Sequence, residues 1–350
     1  MSAPKSFTLL VKPNSDRCNL DCSYCFYKDS RHHGRAPRMS VIEASAMIQG
    51  YRLVSEAESY VWQGGEPMDR GHGFYHGMMP AQSDSAQNTM QTNGIKIGGS
   101  FDPQWVRLFK ERGNWIVGLS HDGPTNKKRG IAQAFIDSAA KNLRNEEIPF
   151  SILCVVSEEN IGNPRGVVEH FYRDEFADAP IQFIRAKGSS VTGHQFAVFL
   201  GEALGRTPDS GKRLANYFVY DAAWHSDHVS CETLPVCESH LMIDSNRIYP
   251  CDHFNTEEWQ LAHIFLPYYS DQWADALRES WNSPTMRRFQ ALKTTKNKLC
   301  EPCSVREACN CGCPADYNDA GLSVNCAAHS LCAHITHPAR AGANQHTGMQ

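Results

Sequence analysis

No apolar run in this 350-residue chain approaches the ~20 residues that a membrane-spanning helix needs. The opening residues, Met-Ser-Ala-Pro-Lys-Ser, lack the basic and apolar regions of an export signal. No sign of charge dominates either: 34 Lys+Arg against 38 Asp+Glu leave a net charge of -4. That balance excludes attraction to nucleic acid or to an anionic membrane through a bulk field. There is no internal repeat. Together these absences predict a cytoplasmic protein with neither a nucleic-acid nor a membrane partner. With 41% hydrophobic and 21% charged residues, the chain can bury a large core as one domain or one domain with an appendage.

Cysteine is what the chain has in excess. There are 14, and eleven of them fall into close-spaced groups. In a secreted chain they would suggest disulfides; in a reducing compartment such spacing favours metal ligation. The first group, Cys18-Asn19-Leu20-Asp21-Cys22-Ser23-Tyr24-Cys25, reads C-x3-C-x2-C. Three thiolates in this space suit three irons of a four-iron cube and leave the fourth without a protein ligand. A structural zinc or an electron-transfer cluster would be closed by a fourth ligand. An open iron is instead a place for a small chelating molecule. A zinc knuckle is the alternative at this level.

Residues 7 to about 190 alternate strand-like and helix-like stretches. The strands are expected at Phe7–Val11, Ser59–Trp62, Asn88–Thr92, Trp115–Ser120, Phe150–Val156 and Ile181–Ile184. Helices are expected over Ser40–Ser55, Pro103–Arg112, Ala132–Asn145 and Pro164–Phe176. Ser40 with Glu43 forms a capping-box pattern, and Asp102-Pro103 is a helix start. Six such units predict an α/β fold with parallel strands, as an open barrel or a doubly wound sheet. In a β/α barrel the chemistry sits after the strands. Gln63-Gly64-Gly65-Glu66-Pro67, Gln91-Thr92-Asn93-Gly94 and Ser120-His121-Asp122-Gly123-Pro124 all fall there. Beyond residue 190 the pattern changes. Helical character is expected over 194–228, a hairpin from Leu241–Ile243 and Arg247–Tyr249, and a helix over Asp271–Leu292. The tail after 335 has no apolar period and is expected to be mobile.

The triplet Cys18, Cys22, Cys25 followed one strand later by Gly64-Gly65-Glu66-Pro67 resembles the signature of the radical S-adenosylmethionine (SAM) enzymes. The resemblance implies a partial (β/α)6 barrel whose open iron chelates SAM. It assigns SAM contacts to Gly64, Gly65 and Glu66, to Tyr24 near the adenine, and to Ser120 and Arg129. Arg129 lies in a segment, Asn126-Lys127-Lys128-Arg129, that is short against the family, and a solvated basic turn is the other reading. Reduction of SAM would yield a 5′-deoxyadenosyl radical that abstracts hydrogen from a substrate.

The distal array is Cys231, Cys237, Cys251, Cys300, Cys303, Cys309, Cys313 and Cys326. It resembles the SPASM extension of that family, which carries two auxiliary [4Fe–4S] clusters. By that resemblance Cys231, Cys237, Cys251 and Cys313 hold one and Cys300, Cys303, Cys309 and Cys326 the other, so three clusters are expected. Spacing alone would instead put Cys300, Cys303, Cys309 and Cys313 on one metal, with zinc as the rival metal. Cys332 competes with Cys326 for the last place. Cys311 stands at what resembles a family glycine and could be a ligand. Cys154, on an apolar strand, reads as core. The family's glycine five residues before Cys251 is Asn246 here, which tolerates a left-handed turn. The implied domains are 1–190 as barrel, 191–230 as a helical segment, 231–335 as SPASM domain and 336–350 as tail.

Trp62-Gln63-Gly64-Gly65-Glu66-Pro67, Gln91-Thr92-Asn93-Gly94 and Tyr249-Pro250-Cys251-Asp252-His253-Phe254 are similar to segments of the anaerobic sulfatase-maturating enzymes. These oxidise a Cys or Ser in a C/S-x-P-x-R motif of a sulfatase to Cα-formylglycine, using an external one-electron reductant. The resemblance implies that hydrogen abstraction occurs at the substrate's Cβ and that Asp252 is the base that then takes the remaining proton; a turn-capping carboxylate is the plainer reading, and His253 is a second candidate. A peptide maturase forming thioether or carbon–carbon crosslinks is the alternative enzyme, and a non-catalytic iron–sulfur or zinc module the alternative class. Residues 68–87, His121 and residues 125–131 depart from the family and are expected to bear on substrate choice.

Overall fold

The computed structural model describes residues 4–25, 27, 37–111, 114–125, 127–205, 214–225, 230–294 and 298–336. Among the described residues there are nine strands: β1 (Thr8–Lys12), β2 (Ser59–Trp62), β3 (Gln87–Thr92), β4 (Trp115–Ser120), β5 (Phe150–Val156), β6 (Ile181–Arg185), β7 (His240–Asp244), β8 (Arg247–Tyr249) and β9 (Ala262–His263). The chain folds into two compact units, one of residues 1–120, 128–151 and 238–289, the other of 121–127, 152–237 and 290–350.

In the first unit, β4, β3, β2 and β1 lie side by side in parallel, an open rather than closed α/β arrangement. The apolar sequence runs bounded by turn residues place these strands as expected. The core between sheet and helices is aromatic: Tyr51, Tyr60, Trp62, Tyr75 and Trp115 are at most 1% exposed. The Trp62 indole donates to Asn88 Oδ1 at 2.8 Å, so its polar edge is satisfied in the core. Helix Val41–Arg52 starts at Ser40, whose hydroxyl accepts from Glu43 N while Glu43 returns a bond to Ser40 N. Pairing between β7 and β1 is the feature that sequence reading did not supply. The hairpin of β7 and β8 is not an isolated element: β7 runs parallel to β1, with Lys12 opposite Asp244, and β8 and β9 extend it antiparallel.

Two local expectations are corrected. The left-handed residue of the β7–β8 turn is Ser245 (φ 58°), not Asn246, whose amide instead bonds Ile264 O at 2.9 Å. The helix expected over 271–292 is two helices, Ser270–Asn282 and Pro284–Thr294, because Pro284 cannot continue the first. The region 68–87 folds into short helices that bury Phe74, Tyr75, Met78 and Met79.

In the second unit β5 pairs parallel with β6. Helix Cys326–Thr336 packs on helices Gly193–Gly205 and Ala215–Trp224. Trp224 Nε1 donates to Ala333 O at 3.0 Å, and Tyr220 hydrogen-bonds His329. The parts of the expected helical stretch at 206–213 and 226–228, and the expected tail from 337 on, lie outside the described residues. Among the described residues no helix is long and apolar enough to cross a membrane.

Candidate active site

The loop after β1 carries Cys18, Cys22 and Cys25, all as reduced cysteines. It is laced to the loop after β2 by backbone bonds: Gly65 N to Ser15 O and Glu66 N to Arg17 O, both 2.8 Å. That lacing requires glycine. A Cβ on Gly65 would stand 1.9 Å from Arg17 O, and Gly64 has φ +112° with its own Cβ position 2.5 Å from Ser15 O. Asn14 completes the seam by donating from Nδ2 to Arg17 O at 3.2 Å and Glu66 O at 3.3 Å.

Glu66 is buried and turned toward the end of β3. Its carboxylate accepts from Thr92 Oγ1 (2.8 Å), Asn93 N (2.9 Å) and Met68 N (2.9 Å). Asn93 in turn donates to Asn19 Oδ1 at 2.7 Å and to the Cys18 thiol at 3.7 Å. Glu66 therefore ties the cysteine loop, the glycine loop and β3 together. Burial pushes its carboxyl up to about 7, against the opposing pull of those three bonds. A carboxyl raised on folding stabilises fully below its unfolded value near 4.5 and loses that contribution as pH rises through 7, an effect of order 3 kcal/mol. Glu66→Gln should gain stability relative to the parent between pH 5 and pH 8. Denaturant midpoints of both proteins across that range check this, and parallel pH profiles would refute it.

Of the other expected cofactor contacts, Arg129 and Tyr24 are brought together, with the Arg129 guanidinium 5.5 Å from the Tyr24 ring centroid. The cation lies over an aromatic face and is buried, so the solvated basic turn is not what forms. Ser120, at the end of β4, accepts from Gln91 Nε2 at 2.9 Å.

Asp252 follows Cys251 and is half-buried. Gln63, immediately before Gly64, donates from Nε2 to Asp252 Oδ2 at 3.5 Å, and the Cys251 thiol donates to Oδ1 at 3.3 Å. Burial works to raise the Asp252 carboxyl, but His253, His240 and Lys12 outweigh it and hold it below the usual carboxylate range. Lys12 is 1% exposed, with its ammonium 4.0 Å over the Tyr27 ring. Burial lowers the Lys12 ammonium, and Asp244, Asp252 and Asp16 oppose that shift. Sequence reading passed over Lys12 and Tyr27. The available signal was a cation closing an otherwise apolar strand.

One flagged departure proves to be core. His121 is fully buried, its Nδ1 accepting from Gly123 N at 3.0 Å and its Nε2 3.3 Å from His170 Nε2, with Phe171 and Phe176 packed around them. Cys154 is buried in β5.

The distal cysteines divide. Cys251 belongs to the first unit and the rest to the second. There, Cys300, Cys303, Cys309 and Cys326 line one cavity, joined by Cys311. Cys313 is absent from that lining and lies near Cys231. Lys293 Nζ donates to Cys231 O at 2.8 Å, and Gln290 reaches Cys237 O at 3.5 Å. Cys332 is buried on its helix outside the cavity. Among the described residues no three cysteine thiols converge within 4.8 Å, the closeness that a single tetrahedral zinc at about 2.3 Å from each sulfur demands.

The sequence profile described as the Radical SAM superfamily matches residues 15–170, the span of the cysteine loop, the glycine loop and β2 to β5. The chain thus carries a radical SAM domain, and that superfamily uses a [4Fe–4S] cluster and SAM. Over most of its length it is homologous to anaerobic sulfatase-maturating enzymes. It is 26% identical to the serine-type enzyme of Klebsiella aerogenes, over 93% of this chain and 84% of that one. It is 27% identical to a cysteine-type enzyme of Clostridium perfringens, over 91% and 92%. The fold matches native anSMEcpe with bound AdoMet and Cp18Cys peptide at TM-score 0.79 and 22% identity, covering 95% and 97% of the two chains. It also resembles Streptococcus suis SuiB bound to precursor peptide SuiA, at TM-score 0.62 and 15% identity, over 91% and 73%.

Proposed function

We propose that the chain oxidises a Cys or Ser side chain within a C/S-x-P-x-R segment of a sulfatase to Cα-formylglycine. The observation that carries this reading is the bond between Gln63 and Asp252. It joins the residue expected to act as base to the loop that carries Gly64-Gly65-Glu66. Relatives across nine-tenths of the chain are named for sulfatase maturation on both residue types, which supports a peptide or protein substrate.

Cys18, Cys22 and Cys25 would hold the SAM-binding cluster. Gly64 and Gly65 would bring backbone close to SAM, Glu66 would hold their loop in place, and Tyr24, Ser120 and Arg129 would border the same ligand. Cys231, Cys237, Cys251 and Cys313 would hold one auxiliary cluster, and Cys300, Cys303, Cys309 and Cys326 the other. In this reading residues 1–190 serve as the barrel, 191–230 as a helical connection and 231–335 as the auxiliary-cluster region. When bound and reduced by an external one-electron donor, these groups supply the radical that removes a hydrogen atom from the substrate Cβ and the sink for the electron left behind. Asp252 accepts the proton that departs with that electron. Gln63 orients its carboxylate, and Lys12 with the neighbouring histidines keeps it anionic.

The test is mass spectrometry of a C/S-x-P-x-R peptide after anaerobic incubation with SAM and reductant. Serine should lose two hydrogens, or cysteine should exchange its thiol for an aldehyde, and the product should react with a hydrazide. A crosslinking peptide maturase is the second reading, and the fold's likeness to SuiB, solved with a precursor peptide bound, stands beside it. A product that lacks two hydrogens but leaves hydrazide unreacted would establish that reading instead.

A further inference from the structure

The cavity in the second unit contains one thiol more than a four-iron cube needs. Cys300, Cys303, Cys309, Cys311 and Cys326 all line it. Cys311 is not peripheral there: it hydrogen-bonds the Cys300 thiol and lies within electrostatic reach of Cys309 and Cys326. The turn Asn310-Cys311-Gly312 holds it in place, with φ of 46°, 69° and 72° in succession. Asn310 Nδ2 donates to Thr233 O at 2.7 Å and to Glu307 O at 3.2 Å, and Gly312 N to Cys309 O at 3.0 Å, so the turn is anchored on both sides. A left-handed position is normally left to glycine or asparagine, so the backbone supplies no reason for cysteine here. Cys326 is the contrasting member: it opens helix Cys326–Thr336 and is exposed.

Taking the cavity to hold a [4Fe–4S] cluster, as in the reading above, we propose that Cys311 is a fifth iron ligand of this site, able to replace Cys326 on the cube. The exchange balances without electron transfer. The iron–sulfur bond to Cys326 breaks and one to Cys311 forms. The proton leaving the Cys311 thiol is taken up by the Cys326 thiolate. The cluster then stays held by Cys300, Cys303, Cys309 and Cys311 while the exposed thiol is released.

Iron and sulfide are counted on the anaerobically reconstituted full chain, comparing the parent, C326A, C311G and C311G/C326A. Glycine is used at 311 because it suits the left-handed turn. About twelve irons are expected in the parent and in each single variant, and about eight in the double variant. A second measurement uses the parent alone: alkylation carried to completion at Cys326, followed by mass mapping, should leave about twelve irons in place. C326A at about eight irons, or loss of about four irons on Cys326 alkylation, overturns the proposal. A parent holding only about four irons would overturn the three-cluster reading as well, whereas twelve in the parent with eight in C326A defeats the exchange alone.

Discussion

Asp252→Asn should leave SAM cleavage to 5′-deoxyadenosine near the parent rate while formylglycine output falls by roughly 10²–10⁴-fold, the usual contribution of a positioned general base. The amide keeps the size of the carboxylate and can still meet Gln63. The loss is therefore of proton affinity rather than of packing. The substitution changes none of Cys18, Cys22, Cys25, Gly64, Gly65 or Arg129, so formation of deoxyadenosine acts as an internal control; on the cysteine side it touches the bond from the Cys251 thiol to Oδ1 at 3.3 Å. Paired assays of deoxyadenosine and aldehyde product on one sample check this. If both fall together, Asp252 supports the loops rather than the proton transfer. If neither falls, the base is elsewhere.

Gly65→Ala should uncouple the cysteine loop from the SAM loop. The added methyl would sit 1.9 Å from Arg17 O and 2.3 Å from the Arg17 carbonyl carbon, both backbone atoms that cannot swing away as a side chain could. Relief requires the loops to part, which lengthens Gly65 N to Ser15 O and Glu66 N to Arg17 O. At about 1 kcal/mol for each bond, plus the strain, a loss of order 2–4 kcal/mol is expected. The larger consequence is for the cluster of Cys18, Cys22 and Cys25. Iron should fall by about four per chain, and deoxyadenosine formation should disappear with it. Iron counting together with denaturant unfolding measures both effects. A Gly65→Ala protein with full iron and normal SAM cleavage would show that the seam between the loops does not matter.

The parts of the fold that were legible in sequence were those set by neighbours along the chain. β2, β4 and β5 begin and end at the expected residues, because apolar runs closed by Gly, Pro, Asn and Ser report their own ends. The capping box at Ser40 forms as read, since both partners lie within one helical turn. Pro284, though visible, was read through rather than as a stop, and the helix breaks there. Glu66 shows the limit of motif reading. Its place in Gly64-Gly65-Glu66-Pro67 carries no sign that its carboxylate accepts from Thr92 Oγ1 and Asn93 N. Only pairing of β2 with β3 puts those donors within reach.

The sequence by itself determined the chemistry available to this protein: three thiols in eight residues, a glycine pair after the next strand, and a second array of thiols toward the C-terminus. These depend on residue type and spacing, which folding does not alter. The tertiary structure decided which groups meet. In sequence Lys12 is only the cation that follows the apolar run Phe7–Val11. It is buried because β7, from far along the chain, pairs with β1 and sets Asp244 opposite it, with Asp252 near enough to share its charge. Cys311 reads as a replaced glycine, and it becomes a cavity-lining thiol through a left-handed turn fixed by Asn310. Strand pairing and burial join residues distant in sequence, and the cost of burying unpaired charge then dictates their partners.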